Sequence, residues 1–133
     1  MNYRYCATLT LAGLLFAAVP ASAHHALQAQ FDVNKPIEFT GVLKKVDWIN
    51  PHVYFTLDVT DNSGSVRTWA VETVGPTAMR RAGLSRAGFF KVGDIYTVVG
   101  IAARNGSNAA FLKAIKFADG RVVTVWFGDP KAR

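Results

Sequence analysis

The sequence predicts a mainly β domain: a small β-barrel of five to six short strands with one short helix, behind an N-terminal signal peptide. Three observations carry this. Apolar and polar residues alternate over residues 53–60, breaks bearing Gly, Pro, Asn or Asp recur at short intervals, and an apolar run stands apart at the N-terminus ahead of a small-residue motif. The 133 residues are one domain's worth. With 50% apolar and 18% charged residues, the composition is globular, and wholesale disorder is excluded.

The first element is an address. Met1–Cys6 holds one basic residue, Arg4, and no acid; Leu9–Val19 is an apolar run; Pro20-Ala21-Ser22-Ala23 ends in an Ala-x-Ala cleavage motif. The run is too short to span a bilayer, and no comparable stretch follows. Residues 1–23 are therefore expected to be removed between Ala23 and His24, a cut after Ala21 being the alternative. Cys6 precedes the apolar run, so it cannot be a lipid acceptor at the cleavage site. Cleavage takes Arg4 and the single cysteine, lowering the net charge from +6 to +5. An exported chain without cysteine depends on its core rather than on disulfides. The expected location is periplasmic or secreted, with no stable membrane insertion after cleavage.

Export alters the meaning of the positive charge. The basic residues are scattered, as in Lys44-Lys45, Arg80-Arg81 and Arg86, with no phosphate loop and no zinc-finger spacing. They are expected to serve solubility, or attraction to anionic lipid or cell-wall polymer. No nucleic-acid partner is expected.

Residues 24–36 form a polar lead-in. Ile37–Ile49 is β-rich, with Gly41 inside it as the expected site of a bulge or sharp coil, and stops at Asn50-Pro51. Val53, Phe55, Leu57 and Val59 alternate with Tyr54, Thr56, Asp58 and Thr60 to give a half-buried second strand. Asp61-Asn62-Ser63-Gly64-Ser65 is a hairpin turn, and Arg67–Val74 a third strand. Gly75-Pro76 breaks the chain before a short helix over Thr77–Ala82, stopped by Gly83. Further strands are expected at Ile95–Ala103, Ala110–Phe117 and Arg121–Phe127, with Arg104–Asn108 as the loop between the first two. The expected core includes Val53, Phe55, Leu57, Trp69, Val71, Val99 and Ile115. Residues 37–128 then make one domain, followed by a tail over 129–133.

Three strands, a helical connection, then two or three strands is the order of an OB-like barrel, whose long first strand suits Gly41. Closure of the sheet would remove exposed edges. A six-stranded lipocalin-like or sandwich arrangement is the competing reading. The chain resembles a family of small exported bacterial proteins designated only as a domain of unknown function. The resemblance lies in His24-His25-Ala26, in Thr40-Gly41-Val42 with Val46-Asp47-Trp48-Ile49-Asn50-Pro51-His52, in Trp69-Ala70-Val71-Glu72, and in Gly93-Asp94 with Val99-Gly100. It implies a single OB-like domain behind a signal peptide and brings no activity.

For an enzyme the inventory is thin. There is no mature cysteine and no Gly-x-Ser-x-Gly elbow, and no nucleophile stands beside a histidine in sequence. His24 and His25 stand at the expected mature N-terminus, and His52 in the turn between the first two strands. In OB-like folds that turn and the Arg104–Asn108 loop frame the binding pole. Trp48, Asn50, Tyr54, Glu72, Arg104 and Asn105 are the accompanying candidate ligand or partner surface, with Phe111 in the same region. Each has a plainer reading. The aromatics are core residues, His52 is a turn histidine bonded to backbone, and the His-His pair is an accident of the cleavage region. Glu72 is a solvent-facing strand residue paired with a surface Arg.

A free α-amino group and the Nδ1 of an N-terminal His close a six-membered chelate on one metal, and nitrogen donors of this kind favour Cu(II). The leading expectation is therefore a non-enzymatic periplasmic binding or accessory protein, with copper as its metal and His24, His25 and His52 as ligands. The alternative is an OB-like module binding a partner protein, a glycan or a small ligand without metal. A small copper enzyme is third.

Overall fold

The computed structural model describes residues 27–84 and 89–126. The chain divides at Gln30/Phe31 into two units. In the first, the described residues 27–30 form one helical turn. The signal segment 1–23, His24, His25 and the tail over 129–133 lie outside the described residues.

The second unit is mainly β. Its strands are β1 (Phe31–Trp48), β2 (Val53–Thr60), β3 (Val66–Glu72), β4 (Ile95–Ala103), β5 (Ala109–Lys116) and β6 (Val122–Thr124); one helix, α1 (Pro76–Arg81), lies between β3 and β4. The sheet order is β3-β2-β1-β4-β5-β6, and β3 also pairs with β5, so five strands form a closed, barrel-like ring with β6 on its flank. The closing β3–β5 ladder is parallel and short, joining Ala70, Val71 and Glu72 to Ala109, Ala110 and Phe111; the others are antiparallel. This is the expected OB-like connectivity.

The long first strand belongs to two ladders. Its early part, through Val42, pairs with β4, and from Val42 onward it pairs with β2. Val42 itself is opposite both Ile95 and Asp58. A one-residue irregularity falls between Leu43 and Lys45, just after Gly41 rather than on it. Strand β1 also starts six residues before the expected Ile37, so residues 31–36 of the predicted lead-in are strand.

The ring interior is filled by Leu43, Val53, Phe55, Leu57, Val71, Tyr96, Val98, Ala110, Leu112 and Ile115, and α1 adds Met79 to the same cluster. Helix α1 begins at Gly75-Pro76, with Pro at its first position, where a missing N–H costs nothing. A knot of rings sits beside this core: Phe90 lies 4.9 Å from Phe55, 5.6 Å from Tyr96 and 6.5 Å from Trp48.

One of the expected core residues is corrected. Val99 is only half-buried, because Tyr96 and Val98 take the interior positions of β4. Trp69 is half-buried but packs against the core, its ring 4.4 Å from that of Phe39. A second apolar cluster lies on the outer wall, where Phe111 is flanked by Phe31 at 5.8 Å and Trp126 at 5.9 Å. Among the described residues no helix is long and apolar enough to cross a membrane.

Candidate functional site

The β2–β3 hairpin sets the site. Its register runs unbroken from Thr60↔Val66 at the turn to Tyr54↔Glu72 at the far end. Alternation sends Phe55 and Val71 inward, so Tyr54 and Glu72 point to the outer wall. Beyond Tyr54 the chain stays tied to β3: Val53 N–H donates to the Val74 carbonyl at 3.1 Å, and Thr73 N–H donates to the Val53 carbonyl at 2.9 Å. His52 is thereby held one residue before a fixed ladder. The turn ahead of it, with a cis Asn50–Pro51 bond, packs on Gly75 so closely that a Cβ there would collide with the Pro51 carbonyl oxygen.

These constraints place the His52 imidazole on Glu72, with Nδ1 bonded to Oε1. The histidine side chain is 41% exposed and that of Glu72 is 17% exposed. Tyr54 stands alongside, its ring 6.4 Å from that of His52. Burial first, and then the Glu72 charge, hold the Tyr54 phenol above its ordinary pKa. On its other side Glu72 is the register partner of Phe111, so the carboxylate lies between neighbours that are both aromatic.

Of the predicted site residues, the structure brings His52, Tyr54 and Glu72 together. Glu72 has a histidine partner where a surface Arg was the plain expectation, and His52 bonds to a side chain rather than to backbone. Trp48 belongs to the aromatic knot around Phe90. Asn50 is exposed in the turn. Arg104 and Asn105 lie in the β4–β5 turn, where the Asn105 carboxamide oxygen accepts from Ser107 N–H at 3.0 Å. That turn reaches β3 through Ala70, whose N–H donates to the Asn108 carbonyl at 3.0 Å, two residues before Glu72. Both loops of the expected binding pole are thus tied to one strand, two residues apart, at Ala70 and Glu72.

Sequence reasoning missed Phe31. Lying on Phe111, it brings the start of β1 onto the wall that carries Glu72. A signal for the His52–Glu72 pair was present, since counting back symmetrically from the Asp61–Ser65 turn puts Tyr54 opposite Glu72. Among the described residues no group of three or more His, Cys, Asp or Glu is placed to hold a metal ion. His52 and its carboxylate are short of a full ligand set by themselves.

Fold and site define a small, mainly β protein with a barrel-like ring and a histidine–carboxylate pair on its outer wall. The chain belongs to a family of unknown function, DUF6152, whose model matches residues 12–112. That span includes His24, His25, His52 and Glu72. Among curated proteins no match was found.

Proposed function

We propose that the protein is exported, loses residues 1–23, and acts as a periplasmic or secreted binding or accessory protein for a transition metal, copper foremost. In this reading the α-amino group and ring of His24 form the primary chelate, with His25 and His52 as further nitrogen donors. Copper(II) is favoured because imidazole and amine donors suit it and it heads the affinity order for such sites.

The observation that supports the reading is the placement of His52 relative to Phe31. Phe31 opens the ring-forming unit and packs on Phe111, the register partner of Glu72, which holds His52. His25 precedes Phe31 by only six residues, a contour of roughly 20 Å when fully extended. Reach along the chain therefore permits His52 as a further donor without requiring it.

Cu(II) titration of processed protein beginning at His24 tests this. His52→Ala is expected to weaken binding at least ~10-fold, about 1.4 kcal/mol. One extra residue ahead of His24 is expected to disrupt the site. Absence of tight copper binding overturns the proposal. An observation favours the second reading in that event. An open groove of about 710 Å³, walled by Phe89, Tyr96 and Phe117 with Lys91 on its rim, suits a small ligand carrying an apolar ring.

A further inference from the structure

We infer that Glu72 is a positioning residue that makes Nε2 the metal-binding atom of His52. The inference rests on the reading of His52 as a ligand and adds what selects the ligating nitrogen. Glu72 accepts at Nδ1, so in the neutral ring the proton lies on Nδ1 and the lone pair on Nε2. An unpaired histidine side chain in water favours the opposite tautomer, with the proton on Nε2, so the protein inverts the ordinary preference.

Three features make that inversion secure. The carboxylate is largely withdrawn from water, at 17% exposure, where a charge-assisted hydrogen bond is stronger than at an open surface. Its strand neighbours Tyr54 and Phe111 are both aromatic, and its carboxylate is hydrogen-bonded to His52. The backbone on either side of the imidazole is fixed, by the Val53 ladder bonds after it and by the close seat of Pro51 on Gly75 before it. The histidine side chain nevertheless remains 41% exposed, so the ring is accessible while one of its nitrogens is engaged. A carboxylate behind a ligating histidine orients the ring and raises its basicity, and its loss commonly costs 10- to 100-fold in metal affinity.

The test starts without metal. In ¹⁵N-labelled processed protein at a pH where His52 is neutral, long-range ¹H–¹⁵N correlation spectra read the tautomer directly. The expected result is a protonated Nδ1 and a bare Nε2, reverting to protonated Nε2 in Glu72→Ala. Glu72→Gln keeps an acceptor oxygen without charge and is expected to retain most of the native tautomer. In Cu(II) titration, Glu72→Ala should weaken binding ~10-fold or more, and Glu72→Gln should recover most of the loss. Protonated Nε2 in the unmutated protein overturns the inference with no variant needed. If His52→Ala weakens copper and Glu72→Ala does not, the inference falls while the copper reading stands. If His52→Ala has no effect on copper, the ligand role of His52 fails whatever the tautomer.

Discussion

Phe31 rests its ring 5.8 Å from that of Phe111 at a tilt of 58°, and this contact joins the first residue of β1 to the strand that closes the ring. Phe31 is 5% exposed although Asp32, Val33, Asn34, Lys35 and Pro36 after it are mostly open to solvent. Phe31→Ala is expected to cost about 3 kcal/mol in urea unfolding, the lower end for loss of a buried aromatic. Amide exchange should quicken across the first residues of β1 while β2 keeps its protection.

The two central valines of β4 test which face of that strand is interior. Val98 is 1% exposed within the core cluster, whereas Val99 is half-buried on the outer wall. Val98→Ala should destabilise by about 2 kcal/mol, from lost burial plus a residual cavity. Val99→Ala should cost clearly less, measured by the same denaturant titration. Equal losses would contradict the assigned face.

Gly100 pairs with Leu112 at the register shift between β4 and β5, and a Cβ there would run into the Phe111 carbonyl oxygen. Backbone cannot rotate away as a side chain can. Gly100→Ala is therefore expected to lower stability by roughly 1–3 kcal/mol, the range for overpacking, with a circular dichroism spectrum that stays β-dominated.

Asp61 governs the β2–β3 turn. Its carboxylate accepts from Ser63 Oγ at 2.5 Å, from Ser63 N–H at 2.9 Å and from Ser65 N–H at 3.0 Å. These bonds, the Ser63 hydroxyl foremost, hold its pKa below the ordinary value. A lowered folded pKa means the unfolded chain binds the proton more readily. The turn's contribution is thus fully present above about pH 3.9 and is lost as pH falls through the lower folded value. NMR titration of the Asp61 side chain should show a midpoint below that of an unpaired Asp. Asp61→Asn should remove this component from the acid-unfolding profile.

Export can be read by mass. Ala23→Asp is expected to block processing, because the shallow pockets of a signal peptidase take small residues at Ala21 and Ala23. The exported wild-type chain should begin at His24. Intact precursor as the main soluble exported species would refute the assignment.

The parts of the fold legible in the sequence were those where one face is apolar and the other polar. Strand β2 runs Val53–Thr60 and β4 runs Ile95–Ala103, both as expected. Where both faces are apolar the pattern loses its parity. Val98-Val99 and Ile101-Ala102 offer two equivalent choices, and the register of β5 against β4 shifts between Val99 and Gly100. The start of β1 was hidden by polar, turn-prone residues around Pro36, whose strand status depends on tertiary pairing with β4. Glu72 was singled out from its placement in a strand. His52 was singled out as well, but the pairing of the two was not, because they are 20 residues apart and meet only across a completed hairpin.

The three-residue joint between β3 and β5 also dictates an order of events. A chain released N-terminus first presents β1, β2 and β3 as an open meander, with the early part of β1 unpaired until β4 arrives. Nothing can seal that meander until residues 109–111 emerge, near the end of the chain. Loop closure of this length is slow compared with hairpin formation. Vectorial delivery across a membrane would therefore keep the chain threadable through most of its passage and concentrate folding on the side where it finishes.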